Sequence, residues 1–385
     1  MKRVTVVGRL GSDLPPLPDA TLLVGAARHL SDVDSAAERV ILGPLAPAIE
    51  RILAHDGDVV IVASGDPGFF GIVRALRAAG VTPEVDPAVS SVATAFARLG
   101  MPWDDAVVVS AHGRSLRRAA NVCRAHPKVA VLTAPGAGPD ELAGELVGIP
   151  RTLIVAESLG TPRERLKVHP GGTHAWAEPN VVVVLDPVPE VASEMGWLAG
   201  ARPGPAGWAL PESAFVHRDS MITKAEVRAL VLARLGPRLG DLVWDIGAGS
   251  GSVAVECARF GAAVIAVDRD PRTASLIAAN AAGLGVQVVT GEAPACLDGL
   301  PDPDAIFVGG GGPAVLGACL ARRPARVVAA FAALERVTAA LATLDGAGYV
   351  AEAVQLQASR LLPLPDGSHR LAAINPVFVV SGALP

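Results

Sequence analysis

One segment leaves this chain little choice of fold. From Asp241 to Asp270 it reads DLVWDIGAGSGSVAVECARFGAAVIAVDRD. Leu242–Ile246 has the pattern of a short buried strand, and three glycines, Gly247, Gly249 and Gly251, follow it at once. A helix is expected over Ser252–Arg259 and a second strand over Ala263–Val267, ending at Asp268. A strand that turns on glycines into a helix and returns as a strand is a βαβ unit, which belongs in a parallel sheet covered on both faces. The fold class is therefore α/β.

The same segment suggests a ligand. Glycines at such a turn permit positive φ and remove the Cβ atoms that would collide with a bound nucleoside or amino acid. A carboxylate at the end of the second strand, Asp268, suits a ribose. A dinucleotide fingerprint is GxGxxG and puts pyrophosphate at the helix N-terminus; here the spacing is GxGxG, preceded by the acidic Asp245. That combination favours S-adenosylmethionine, which carries an ammonium group and no phosphate. A nicotinamide dinucleotide and a glycine turn with no ligand remain the alternatives. Downstream, Glu292 and Ala293 follow the strand expected to end at Thr290 and are candidates to read an adenine edge. Gly309, Gly310 and Gly311 follow Ala305–Val308 and lie where open α/β sheets receive ligands.

A chain of 385 residues exceeds the usual size of a single core, so two domains are expected. Residues 1–186 alternate Val- and Ile-rich runs (Val4–Val7, Val59–Ala63, Ala106–Ser110, Val129–Thr133, Thr152–Ala156 and Val181–Leu185) with segments of helical character. Pro187–Pro211 holds nine Pro or Gly in 25 positions, so 187–210 is expected to be a linker and 211–385 the second domain. After it, Met221–Leu235 reads as an amphipathic helix with Thr223 and Glu226 at capping-box spacing. Val350–Gln357 and Asn375–Val380 read as two final strands. With 33 basic and 38 acidic residues and no basic stripe, no nucleic-acid partner is expected. The four cysteines form no CxxC pair and the eight histidines no HExxH, so no metal is expected. No apolar stretch reaches the ~20 residues of a membrane span, and the start lacks a signal-peptide pattern, so a cytoplasmic protein without a membrane partner is expected.

Further segments carry a resemblance. SGDPGFFGI, SSVATAFARLG, WDDAVVVSAHGR and VLTAPGAGP in the first half, and MITKAEVR, VWDIGAGSGSVAVE, GEAP and FVGGGG in the second, stand in one order. The chain resembles the precorrin-6Y C5,15-methyltransferase (decarboxylating) family of the cobalamin pathway. That resemblance implies a two-lobed tetrapyrrole methylase fold followed by a Rossmann-like class I methyltransferase domain. It implies methylation at C5 by the first, and at C15 with loss of the C12 acetate carboxyl by the second. Two molecules of S-adenosylmethionine would become S-adenosylhomocysteine, and precorrin-8X would result. Both component families are usually oligomeric, so a homo-oligomer is implied.

The resemblance also implies a second donor site, with Gly65, Asp66, Phe69 and Ser91 as candidates. Asp66 also has the position of an N-cap for a helix over Phe70–Ala79. A tetrapyrrole rich in carboxylates calls for basic groups and backbone amides. His217, Thr223, Lys224 and Arg228 are therefore candidates for positioning substrate, with Arg218 beside them; His112 and Arg114 are candidates in the first half. Departures occur: the early VGIGPG-like turn reads Val7-Gly8-Arg9-Leu10-Gly11, a proline-glycine reads Pro87-Ala88, an RPGG turn reads Arg323-Pro324-Ala325-Arg326, and an asparagine is replaced by Ala330. The alternative reading is a methyltransferase for a different substrate, with the N-terminal half a non-catalytic binding or assembly module.

Overall fold

The computed structural model describes residues 2–187, 198–200, 204–218 and 222–385. Most of the expected linker, with Trp197 and Met221, lies outside the described residues. The chain divides into two compact units. One comprises residues 1–114, 128–144 and 151–201; the other comprises 115–127, 145–150 and 202–385.

The N-terminal unit holds two five-stranded sheets. The strands of the first are β1 (Val4–Arg9), β2 (Leu22–Gly25), β3 (Glu38–Ile41), β4 (Val59–Ser64) and β5 (Glu84–Asp86). Helices α1 (Ala27–Leu30), α2 (Leu45–Ala54), α3 (Val73–Ala78) and α4 (Ser91–Leu99) intervene. The order is β3-β2-β4-β1-β5, parallel throughout. Covered strands need apolar side chains on both faces, and Val4, Val6 and Val7 with Val59–Val62 supply them from buried positions.

The second sheet holds β6 (Val107–Ser110), β7 (Lys128–Leu132), β8 (Thr152–Glu157), β9 (Arg165–Val168) and β10 (Asn180–Leu185). Its order is β6-β7-β10-β8-β9, with only the β6–β7 pair parallel. Helices α5 (Leu116–Ala125) and α6 (Pro139–Glu145) interrupt this stretch of chain.

The C-terminal unit opens with α7 (Ala225–Leu235). Then follow β11 (Leu242–Ile246), α8 (Ser252–Arg259), β12 (Ala263–Asp268), α9 (Pro271–Asn280) and β13 (Val286–Thr290). Next come β14 (Ala305–Val308), α10 (Gly312–Ala321), β15 (Arg326–Phe331), α11 (Leu334–Gly346), β16 (Val350–Leu356), β17 (Ser359–Pro363), β18 (His369–Ala373) and β19 (Val377–Ala383). Seven strands form one sheet in the order β13-β12-β11-β14-β15-β19-β16. The first five are parallel, and β19 runs antiparallel between β15 and β16. The core lies on both faces of this sheet: Trp244, Ile265 and Ile306 are buried on one side, Val243, Val264 and Phe307 on the other. Each large side chain so covered contributes about 1.5–3 kcal/mol.

Three local expectations are corrected. Thr223 does not cap α7: Lys224 holds the cap position without a side-chain bond, and Glu226 instead receives Arg360 at 2.9 and 2.8 Å. A bidentate guanidinium outcompetes a backbone amide for that carboxylate. Helix α3 begins at Val73, not Phe70, because Asp66 turns its carboxylate onto Gly68 N (2.8 Å) and closes a tight turn ahead of the helix. The tail contains four strands where two were expected. The added β17–β18 hairpin is mostly exposed and lacks the apolar alternation that marks a half-buried strand.

Candidate functional site

The strand order of the C-terminal unit reverses between β11 and β14, and at such a switch point the loops leaving neighbouring strands part to form a crevice. The loop after β11 is the glycine turn and the loop after β14 is the glycine run, so the two expected segments meet at the carboxyl end of the sheet. They run backbone against backbone. A Cβ on Gly247 would stand 3.1 Å from Gly310 N, and Gly247 itself has φ +75°. Gly309 N donates to Ile246 O at 2.8 Å, which fixes the second loop to the end of β11.

Asp268 organises the turn. Its two carboxylate oxygens accept from Gly249 N (2.8 Å) and Asp270 N (2.9 Å). Each oxygen keeps lone pairs free, so the carboxylate is oriented and still able to accept from a ligand. It lines a cavity of about 630 Å³ with Glu292, Arg218, Arg269 and Asp270. Asp270 pairs with Arg272 and Arg218, which hold its carboxyl well below the usual range. Glu292 is exposed and 3.8 Å from Arg269 at the rim of this cavity; Ala293 is half-buried behind it.

Asp245 lies one layer deeper. It is 1% exposed, and its Oδ2 accepts from Ala254 N at 2.9 Å. Its Oδ1 is buried with no hydrogen-bond partner among the described residues. Burial pushes the carboxyl up to about 7, the Ala254 amide opposes that rise, and the Asp268 charge adds to it. An orphaned, buried carboxylate oxygen beside the glycine turn is a group that lacks its counter-charge.

A strap of chain before α7 is tied to the same turn. Asn280 at the end of α9 donates to Ser250 O (2.8 Å) inside the turn and to Val216 O (2.8 Å) on the strap. It also accepts from Val216 N at 2.7 Å. His217 and Arg218 are therefore held beside the cavity, both half-buried, with Arg218 3.3 Å from Asp270. Thr223 and Lys224 are half-buried at the start of α7.

Arg228, expected to meet substrate, is completely buried instead. It donates to Thr223 O (2.5 Å) and Leu210 O, lies 3.4 Å from the equally buried Glu256, and stacks on Phe215 at 4.7 Å. Its cationic group secures the strap to α7 and α8. Sequence alone could not separate this arginine from a surface one. Its helix position three residues after Ala225 and the buried Glu256 on the next helix are the only signals.

In the N-terminal unit, Gly65 follows β4 in the left-handed region (φ +59°), against the backbone of Ser90 and Ser91 where α4 begins. Gly8, at the end of β1, approaches both Gly65 O and Ala88 so closely that a Cβ would lie 2.6 and 2.5 Å from them. The departure at Ala88 thus meets a glycine that leaves room for it. Arg9 is buried and fork-bonded to Asp32 (2.8 and 2.5 Å), and it also donates to His29 O and Gly11 O. Asp66 and Ser91 are half-buried; Phe69, His112 and Arg114 are exposed.

The order β13-β12-β11-β14-β15-β19-β16, with its glycine turn and strand-end acid, defines the C-terminal unit as a Rossmann-like methyltransferase domain of the S-adenosylmethionine-dependent class. The family model for the precorrin methyltransferase domain matches residues 213–378, and that for tetrapyrrole (corrin/porphyrin) methylases matches 21–173. A precorrin-6Y C(5,15)-methyltransferase [decarboxylating] from Sinorhizobium sp is 40% identical over 321 residues, covering 80% of this chain and 76% of that protein. A probable cobalt-precorrin-6B C(15)-methyltransferase (decarboxylating) from Pyrobaculum calidifontis is 35% identical over 185 residues, 45% of this chain and 94% of the relative. A cobalt-precorrin-7 C(5)-methyltransferase from Salmonella typhimurium is 34% identical over 184 residues, 45% of this chain and 90% of the relative. The chain belongs to the precorrin-6Y C(5,15)-methyltransferase (decarboxylating) family. Among the described residues no helix is long and apolar enough to cross a membrane.

Proposed function

We propose that this chain methylates a corrin precursor of the precorrin-6Y type at two carbons and decarboxylates it, as its relatives' names describe. The N-terminal part, residues 1–186, carries the C5 methylation. Residues 211–385 carry the C15 methylation and the loss of the C12 acetate carboxyl, with 187–210 joining them. S-adenosylmethionine is the donor at both sites, precorrin-8X the product, and a homo-oligomer the working form. The observation that carries the C-terminal assignment is the direct bond of Asp268 to the Gly247–Gly251 turn, with the same carboxylate lining a cavity at the carboxyl end of β12.

The residues fit that donor. Asp268 would offer its free lone pairs to the ribose hydroxyls, and Glu292, on the same cavity, would read the adenine edge. Asp245 supplies the negative charge that the donor's cationic end needs, and its orphaned oxygen is the trace of that missing partner. When bound, the donor supplies an electrophilic methyl group on a sulfonium. The tetrapyrrole's conjugated enamine is itself the nucleophile, so positioning and desolvation are the protein's part. The amides of Gly309–Gly311 and the His217–Arg218 strap hold the acceptor's carboxylates. Decarboxylation requires the scissile bond held perpendicular to the ring, which absorbs the electron pair as carbon dioxide leaves; a proton from water then completes the methyl group on the former acetate carbon. The N-terminal candidates Gly65, Asp66, Phe69 and Ser91 would hold the second donor, and His112 and Arg114 would meet the acceptor.

Product mapping on the full chain, with isotopically labelled donor methyl, tests the division. Asp66→Asn should leave one methyl group and the decarboxylation intact while the C5 methyl is lost. Equal losses at both carbons would overturn it.

A further inference from the structure

Phe70 sits where an aromatic residue is costly to keep. Its φ is +56°, in the left-handed region that a bulky side chain rarely adopts. The side chain is also 39% exposed, so much of the ring is left facing solvent. The turn around it is tightly determined: Asp66 accepts from Gly68 N through its side chain and from Phe69 N through its carbonyl, at 2.8 and 3.1 Å. The ring of Phe69 stands edge-on to that of Phe70, with centroids 4.8 Å apart and planes at 72°. A strained, exposed, buttressed aromatic is a signature of a surface kept for binding.

What it binds is indicated by its neighbour. Arg114, on the turn after β6, places its guanidinium 5.9 Å from the centre of the Phe70 ring. Phe70 leaves the first sheet of the N-terminal unit and Arg114 the second, so the contact joins the two lobes of that unit. Arg114 is exposed, and among the described residues no carboxylate pairs with it. An aromatic face beside an uncommitted cation complements a flat, conjugated ring with carboxylates at its edge. A nucleoside would use the face and leave the guanidinium idle; a peptide carboxylate would do the reverse.

We propose that Phe70 is the platform on which one face of the tetrapyrrole lies for the N-terminal methyl transfer, with Arg114 taking a peripheral carboxylate. This rests on the C5 assignment above and adds to it the residue that orients the ring. Phe70 acts by positioning, so its loss raises KM for the C5 step and spares the C15 step.

The strain makes the test selective. In the full chain, Phe70→Gly relaxes the backbone and should leave the melting temperature unchanged or higher. It should raise KM for C5 methylation about tenfold, the scale of one lost aromatic contact. Phe70→Tyr should restore KM, and Arg114→Gln should raise it by a similar factor while Arg114→Lys recovers part. An unchanged KM in Phe70→Gly, or a lower melting temperature with equal loss of both methylations, would overturn the platform. Fluorescence titration with uroporphyrin, a flat macrocycle ringed by carboxylates, reads the same surface without turnover. If wild-type chain makes no C5 product, the assignment of function fails. The titration still decides the platform: weaker binding by Phe70→Gly supports it, and equal binding refutes it.

Discussion

Raising the pH should strengthen binding of S-adenosylmethionine to the C-terminal unit, and Asp245 is the group responsible. In the free protein, burial lifts its carboxyl to about 7. A cationic donor end beside it would favour the ionised form and lower that value in the complex. At low pH the carboxyl keeps its proton with or without ligand, and affinity is flat. As the pH rises toward about 7 the free protein is still protonated while the complex is not, so affinity climbs by up to tenfold per unit. Above about 7 both forms are ionised and the curve levels again. Calorimetry in buffers of differing ionisation enthalpy reads both quantities, since up to one proton is released per ligand bound in that window. Asp245→Asn should remove the slope and the proton release from the C-terminal site. A pH-independent affinity, or the same slope in the asparagine variant, would refute the placement of the donor's charge beside this residue.

Two further outcomes follow from the same unit. Asp268→Ala should weaken the donor about ten- to a hundredfold, the loss of one or two charge-assisted hydrogen bonds, with unchanged calorimetric affinity counting against the ribose assignment. Arg228→Met should cost about 2–4 kcal/mol in urea unfolding, because it removes the buried donor to the Thr223 and Leu210 carbonyls, while Glu256 keeps its pair with Arg259 at 2.7 Å. A stability equal to that of the unaltered chain would refute the role of Arg228 in securing the strap.

The parallel core was legible because its strands are covered on both faces and read as unbroken apolar runs, as at Val59–Val62 and Ala305–Val308. Asp268 and the two glycine loops were legible for a related reason: the carboxyl ends of such strands are where a fold of this kind leaves its crevice. What escaped depends on partners distant in sequence. Thr223 and Glu226 have the spacing of a cap, yet Arg360 lies 134 residues away and takes the carboxylate. Arg228 carries the letter of a surface residue, and the buried Glu256, two carbonyls and the Phe215 ring draw it inward. The β17–β18 hairpin hides because its strands are stabilised by each other's backbone and bury little. The strain at Phe70 is a backbone angle, which no residue pattern spells out.

Asn280 has a consequence for how the strap is held. Through one side chain it grips the carbonyl of Ser250 inside the glycine turn and both backbone groups of Val216 on the strap. The turn and the stretch that carries His217 and Arg218 therefore hang on a single tether, and one short amide side chain sets the spacing between two segments more than thirty residues apart in the chain.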